Sequence, residues 1–221
     1  MRDPPDAHRL GRLTASQRIH RSALVFAGGR ATRLGGRNKA LLEVGGRRIV
    51  DRIRDALGPL VSETLVLTND DSLAELGGAR LVFDPTPHAG VLPALASGLQ
   101  AASCELCLAV ACDMPFVSAR LFEYLLQLQA AEAADVVIPR SEASRTSLEP
   151  MHAVYRRATV LEAIRAALAR GEQRMISYFP SVRVREVEPS EWQAVDAAGL
   201  AFFNVNTPED LARAQEIAAQ A

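Results

Sequence analysis

The run Leu106-Cys107-Leu108-Ala109-Val110-Ala111-Cys112 contains no polar or charged interruption. A strand with one face in solvent alternates apolar and polar residues, whereas a strand covered on both faces does not. This run therefore predicts a central strand of a mostly parallel sheet that has helices on both faces.

Similar apolar runs alternate along the chain with segments of helical periodicity. Strands are predicted at residues 23–27, 64–68, 80–83, 106–112, 135–138, 151–156 and 182–187. Helices are predicted at residues 49–57, near 73, and at 92–102, 119–131 and 158–170, with N-caps at Ser118 and, for a last helix, Thr207. The alternation predicts a doubly wound α/β fold, a mostly parallel sheet flanked by helices.

Composition narrows the class of protein. The chain has 221 residues, 48% of them hydrophobic, and a net charge of −1, which argues against disorder and against a general nucleic-acid binder. No apolar run approaches the ~20 residues of a membrane helix, so no membrane association is expected. We expect residues 1–21 to form a flexible tail and residues 22–221 to form a single domain.

The three cysteines, Cys104, Cys107 and Cys112, lack a second pair at zinc-binding spacing. Two of them lie in the apolar run, where cysteine behaves as a small hydrophobe. Buried structural thiols and a reducing cytoplasmic location are therefore expected.

A glycine-rich, basic segment follows the first predicted strand. Residues 27–39 read AGGRATRLGGRNK, with Arg30, Arg33, Arg37 and Lys39 as cations. Ligands of parallel sheets bind at the carboxyl ends of strands, where glycines let backbone N–H groups approach an anion. The segment favours phosphate binding, and a flexible surface loop is the alternative. It fits neither the Walker nor the dinucleotide pattern.

Two other places carry oxygen ligands at the same edge. Asp113 ends the central strand, where a carboxylate could hold Mg²⁺ together with phosphate oxygens or could simply cap the turn before Pro115. Asn204 and Asn206 flank Val205, so strand alternation would put both amides on one face. The alternative is that these asparagines only form the turn before the last helix.

Five motifs in order resemble the molybdenum cofactor guanylyltransferases, within the wider group of GT-A-like nucleotidyltransferases. They are A-G-G-x-x-x-R-x-G-G-x-x-K, C-D-M-P, L-E-P-M-H-A-V-Y-R-R, G-E-x-R and F-F-N-V-N-T-P-E-D-L, and the resemblance runs from about residue 23 to the last helix. It implies a Rossmann-like fold of the GT-A nucleotidyltransferase type. It also implies transfer of GMP from GTP to Mo-molybdopterin, with release of pyrophosphate and with Mg²⁺ as cofactor.

The resemblance also assigns roles to residues. Arg33, Lys39 and Asp113 would be catalytic, with Arg33 and Lys39 holding the triphosphate and Asp113 the metal. Nucleotide contacts would come from Ala27, Gly28, Gly29, Lys39, Asn69, Asp84, Gly90 and Asp113. Asn204 and Asn206 would lie across the cleft, near metal or product. Beyond the substrates, a molybdenum-insertion protein and molybdoenzyme chaperones are the expected partners.

The chain departs from the family pattern at several positions. Ala31 replaces a frequent serine, Asn38 replaces an aspartate, and Gly90-Val91-Leu92-Pro93-Ala94 stands where G-P-L-x-G is usual. A cytidylyltransferase acting on the same pterin, or another small-molecule nucleotidyltransferase of this fold, stays open as an alternative. For the anionic pterin, Arg140, Arg156 and Arg174 are candidate contacts, with a solvated surface arginine as the alternative for each, and His152 is expected to be an ordinary strand residue.

Overall fold

A computed structural model describes residues 20–28, 38–74, 76–83, 90–142 and 147–220. Three predicted site residues, Gly29, Arg33 and Asp84, lie outside this part of the chain. Nearly all of the expected N-terminal tail lies outside it as well.

The described residues form nine strands and six α-helices. The strands are β1 (Arg21–Phe26), β2 (Glu43–Val44), β3 (Arg47–Arg48), β4 (Glu63–Leu67), β5 (Arg80–Val82), β6 (Leu106–Ala111), β7 (Val136–Pro139), β8 (His152–Arg156) and β9 (Val184–Val187). The helices are α1 (Ile49–Leu57), α2 (Val91–Ala101), α3 (Ala119–Glu132), α4 (Arg157–Ala169), α5 (Pro189–Trp192) and α6 (Pro208–Ala219).

Seven of the described strands form the central sheet, in the order β5-β4-β1-β6-β8-β7-β9. β1 pairs in parallel with β4 and β6, β4 with β5, and β7 with β9. Only β8 runs against its neighbours β6 and β7. The predicted doubly wound, mostly parallel α/β fold is therefore confirmed. Because β8 is reversed, it begins at the edge where β6 and β7 end.

The core lies on both faces of the sheet, as the apolar run in β6 requires. One cluster packs α1 and α3 against Val25, Leu108 and Val110, and the other packs α2 and α4 against Leu24 and Ala109. Alternate residues of one strand thus enter different clusters. Among the described helices, none combines the length and apolarity that spanning a membrane would require.

Both predicted helix caps are present. The Ser118 hydroxyl accepts a hydrogen bond from Leu121 N at the start of α3, and Thr207 forms a capping box with Asp210 at the start of α6. Periodicity missed the hairpin β2–β3, which is only two residues long on each side, and the one-turn helix α5.

The hairpin matters because α6 is fastened to it. Gly45 N donates to Gln215 Oε1 at 2.9 Å, and Gln215 Nε2 donates to Glu43 O at 2.8 Å. Gly45 and Gly46 both have positive φ angles, which glycine adopts without strain. These two hydrogen bonds join the C-terminal helix to the segment that immediately follows Lys39.

Asn38 ties three segments together beneath the sheet edge. Its side chain is buried, with Nδ2 donating to Ala27 O at 3.2 Å and to Asp70 Oδ2 at 3.0 Å. Its Oδ1 accepts from Ala40 N at 2.9 Å and so caps the 3₁₀ turn Lys39–Leu41. An amide fits this position because it donates to two oxygens, which an ionised aspartate cannot do.

Replacing Asn38 with Asp should destabilise the protein. The change would set a carboxylate against Asp70 and a carbonyl oxygen with no N–H between them, at a cost of about 1–3 kcal/mol in the free energy of unfolding. Adding Asp70→Asn to Asn38→Asp exchanges the two groups and should recover part of the loss. Urea denaturation of both variants and of Asp70→Asn alone measures this, and a single Asn38→Asp variant as stable as wild type would contradict it.

Candidate active site at the carboxyl ends of β1 and β6

Lys39 lies at the centre of a polar cluster at the sheet edge. Its Nζ donates to Asp113 Oδ2 at 3.0 Å and to Asn206 Oδ1 at 2.6 Å. The side chains of Lys39 and Asp113 are 17% and 21% exposed, so both can still be reached from solvent. Lys39 and Asp113, which the sequence places at the same sheet edge, are thus direct neighbours, and Asn206 joins them from far along the chain.

Lysine is rare in this protein. The sequence has one lysine, Lys39, against 24 arginines. An ammonium is compact and can sit between a carboxylate and an amide oxygen, whereas a guanidinium is a broad planar fork. The one place where the chain uses an ammonium is thus the centre of this cluster.

Backbone hydrogen bonds fix the carboxylate and the amide in place. Cys112 N donates to Phe26 O at 3.0 Å, which holds the end of β6 against β1, and Val205 N donates to Asp113 O at 2.8 Å. Asp210 Oδ2 accepts from the backbone N–H groups of Asn206 and Thr207, both at 2.9 Å. These hydrogen bonds lower the pKa of Asp210, the one to Asn206 N most. The Asn206 loop is therefore held at its base by an ionised carboxylate.

Asp113 offers one free carboxylate oxygen, the kind of ligand that a hard cation prefers. While Oδ2 accepts from Lys39, Oδ1 is buried and has no hydrogen-bond partner among the described residues. The described part of the chain contains no group of three or more His, Cys, Asp or Glu that could hold a metal alone. Mg²⁺ does not need one, because it is commonly held by one or two carboxylates together with substrate phosphates and water. The buried free oxygen of Asp113 fits this mode.

The predicted nucleotide residues fall along the same edge, with different surroundings. Ala27 is fully buried: its N–H donates to Leu67 O, and its carbonyl accepts from Asn38 and Thr68. Its backbone groups are thus engaged in hydrogen bonds inside the protein. Gly28 and Asn69, at the ends of β1 and β4, are exposed at the edge.

Gly90 precedes α2 with a φ of +109°, a conformation that side chains rarely tolerate. α2 begins at Val91, so Pro93 is its third residue, where a backbone N–H has no partner inside the helix. The missing N–H of Pro93 therefore costs no helical hydrogen bond. Any effect of Pro93 on a bound nucleotide would come only from the absence of an N–H donor at that position.

The expectation for Asn204 was based on a strand that does not form. Residues 203–206 have no regular secondary structure, so the alternation argument fails. Asn204 Nδ2 donates to Phe202 O at 2.9 Å, while Asn206 reaches Lys39. The two amides therefore have different partners: Asn204 bonds to the backbone two residues before it, and Asn206 bonds to Lys39.

The candidate pterin contacts are also not assembled. Arg156 pairs in register with Leu106, at the amino end of β6, and is therefore at the edge opposite Lys39. It forms ion pairs with Glu105 and Asp135 there. Arg140, by contrast, follows β7 at the correct edge but pairs with Glu186 and Glu188, and Arg174 is exposed beyond α4. Arg156 became a candidate from the charge of its side chain alone, and its place in the β8 register, at the edge away from Lys39, favours the surface-arginine alternative.

A buried carboxylate near the cluster, Glu149, was not predicted from the sequence. Glu149 is 5% exposed, and burial raises its pKa to about 7; a hydrogen bond from Ser141 acts the other way, and the nearby Asp113 charge adds to the rise. Its Oε1 has no hydrogen-bond partner among the described residues. The available signal was the position of an acid within L-E-P-M, directly before a strand.

His152 and the cysteines take no part in the cluster. His152 is fully buried in β8, stacked on Phe122 with ring centroids 4.4 Å apart, and burial lowers its pKa to about 3. All three cysteines are buried and free, and burial raises the pKa of Cys107 and of Cys112 to about 12. The expectations for an ordinary strand histidine and for buried thiols are confirmed.

Known proteins of this kind are similar over most of the chain. The MobA-like NTP transferase domain matches residues 23–186. A probable molybdenum cofactor guanylyltransferase of Pelotomaculum thermopropionicum is 34% identical over 200 residues, which cover 90% of this chain and 94% of the relative. A molybdenum cofactor guanylyltransferase of Desulfosudis oleivorans is 31% identical over 195 residues, covering 88% and 94%.

Solved structures share the fold. Molybdopterin-guanine dinucleotide biosynthesis protein A of Archaeoglobus fulgidus aligns with a TM-score of 0.75 at 24% identity, covering 90% of this chain and 100% of that one. The 2-C-methyl-D-erythritol 4-phosphate cytidylyltransferase of Thermus thermophilus aligns with a TM-score of 0.66 at 24% identity, covering 90% and 98%. From the domain match and the curated relatives, the chain belongs to the family of MobA-like NTP transferase domains.

Proposed function

We propose that this protein transfers GMP from GTP to Mo-molybdopterin, releases pyrophosphate and so forms the guanine dinucleotide form of the molybdenum cofactor. The observation that carries the proposal is the Lys39 ammonium held between Asp113 and Asn206 at the carboxyl edge of the sheet, in a chain of this family. The curated relatives with molybdenum cofactor guanylyltransferase as their described activity support the choice of base and acceptor.

The reaction brings two anions together. An oxygen of the pterin phosphate attacks the α-phosphorus of GTP, the bond from that phosphorus to the bridging oxygen breaks, and pyrophosphate leaves with the electron pair. Positive groups fixed in advance near the triphosphate lower the repulsion and stabilise the charge that develops on the leaving group. We assign this task to Lys39, whose position the structure describes. Arg33 is proposed to act beside it.

Mg²⁺, held by Asp113 and the phosphates, would supply the remaining charge neutralisation at this place. The residues themselves do three things. Asp113 and Asn206 position the Lys39 ammonium before nucleotide binds; the buried Asn38 holds the turn that presents it; and Asp210 holds the Asn206 loop. A rigid support of this kind is what positioning catalysis requires.

The protein needs no nucleophile of its own, because the acceptor phosphate is the attacking group. The described residues agree with this requirement. Each described cysteine is buried, and His152 is buried and neutral at physiological pH. Free, buried thiols also support the proposal that the protein works in the reducing cytoplasm.

Pyrophosphate release with each of GTP, CTP, ATP and UTP, in the presence of molybdopterin and Mg²⁺, tests the proposed reaction. GTP should give the fastest release, and Asp113→Ala should reduce it strongly. Faster release with CTP would replace the guanylyl assignment by a cytidylyl one. No release with any nucleotide, from a folded protein, would contradict the proposed function.

Removal of the Lys39 ammonium should slow the reaction by about 10²–10³-fold, by analogy with loss of one preorganised donor to a developing charge. Lys39→Met tests this, and Lys39→Arg asks whether charge alone is enough. Because the guanidinium is broader than the ammonium, we expect Lys39→Arg to remain well below wild type. The exposed Arg213→Met in α6 is the control, and it should leave the rate unchanged. Wild-type rates for Lys39→Met would remove Lys39 from the mechanism.

A further inference from the structure

Two buried carboxylate oxygens near the Lys39 cluster have no hydrogen-bond partner among the described residues. They are Asp113 Oδ1 and Glu149 Oε1. A buried carboxylate without a partner costs free energy, and proteins usually neutralise it, pair it or give it a metal ion. Lys39 does not serve both groups, because its described contacts are Asp113 Oδ2 and Asn206 Oδ1.

The pairing of β6 with β8 brings the segments that carry the two acids next to each other. Val110 faces His152 in the antiparallel register, and Ala111 N donates to Met151 O at 3.2 Å one step further on. Asp113 lies two residues after Ala111, on a turn closed by the bond from Met114 N to Ala111 O at 3.3 Å, and Glu149 lies two residues before Met151, on the turn that leads into β8. The two acids are therefore on turns that leave the end of the same ladder, at the carboxyl edge of β6.

Hydrogen bonds hold the Glu149 segment firmly. Glu149 N donates to Pro139 O at 2.9 Å, and His152 N donates back to Glu149 O at 2.9 Å. The Tyr155 hydroxyl, from inside the sheet, donates to Pro150 O at 2.6 Å. The acid thus lies on a tight turn that is fixed from both sides and not on a freely moving loop.

We propose that Glu149 is a second carboxylate ligand of the divalent cation, and that the ion lies between Glu149 and Asp113. Two carboxylates leave the rest of the coordination sphere to phosphate oxygens and water, which is how Mg²⁺ and Mn²⁺ are commonly held. The proposal rests on the nucleotidyl transfer proposed above, because it assigns a ligand to the metal of that reaction. It adds Glu149, on the turn before β8, to Asp113, the acid that follows β6.

The surroundings of Glu149 fit a cation better than a purely structural role. A structural carboxylate usually accepts several N–H bonds or faces an arginine or lysine. Within the described part of the chain, the contact identified for the Glu149 side chain is the Ser141 hydroxyl. Ser141 can hold one oxygen in place while the other stays available to an ion.

Mn²⁺ binding to the full chain, without nucleotide, tests the proposal directly. Free Mn²⁺ would be measured by electron paramagnetic resonance for wild type, Glu149→Gln and Asp113→Asn. Glu149→Gln keeps the shape of the side chain, and we expect it to weaken Mn²⁺ binding by at least about tenfold, as metal-site substitutions commonly do. The exposed Glu142→Gln, from the same connection between β7 and β8, is the matched control and should bind as wild type does.

The outcomes separate this proposal from the proposed function. If Glu149→Gln binds Mn²⁺ as tightly as wild type, the proposal is overturned even where wild type releases pyrophosphate from GTP. If Glu149→Gln loses Mn²⁺ while wild type transfers no nucleotide, the metal site stands and the proposed function fails. Glu149→Asp keeps the charge and should retain more affinity than Glu149→Gln, which guards against a merely structural loss. Should wild type bind Mn²⁺ neither alone nor with a non-hydrolysable GTP analogue, the proposal is wrong.

Discussion

The contact between the Lys39 ammonium, the Asp113 carboxylate and the Asn206 amide joins three distant parts of the chain at one sheet edge. Each partner is held from behind: Lys39 by the Asn38 cap, Asp113 by the end of β6, and Asn206 by Asp210. The Lys39–Asp113 pair is partly buried, and ion pairs that water still reaches contribute little to the stability of a fold, about 0–1 kcal/mol. Its value lies in keeping a positive charge fixed where a triphosphate would bind.

In the proposed reaction the same residues would serve before and after nucleotide binding. The carboxylate and the amide neutralise and orient the ammonium. A triphosphate with its cation would offer a stronger partner to each group, phosphate to Lys39 and metal to Asp113. Because both groups lie on supports that the sheet fixes, this exchange would require no large movement. Glu149, on the turn before β8, would hold the same cation from the other side.

The sequence was informative where one strand or one turn sufficed for the argument. The apolar run in β6 predicted a two-sided sheet, and position at a strand end predicted Asp113 and Lys39 correctly as neighbours. It failed where long-range pairing decides. Glu149 becomes a buried acid only because β8 lies between β6 and β7, and Asn206 meets Lys39 across 167 positions. Arg156 became a candidate for the same reason, since its charge does not reveal at which end of β8 it lies.

Because Lys39 is the only lysine, its side chain can be observed alone. Protein labelled with ¹³C and ¹⁵N only in lysine gives one side-chain ammonium signal by nuclear magnetic resonance, which can be followed as GTP and Mg²⁺ are added. We expect this signal to shift on saturation with Mg²⁺ and GTP as the ammonium leaves Asp113 for phosphate, and Asp113→Asn should alter its starting position. If calorimetry shows GTP bound while the Lys39 signal stays where it was, the cluster is not the nucleotide site.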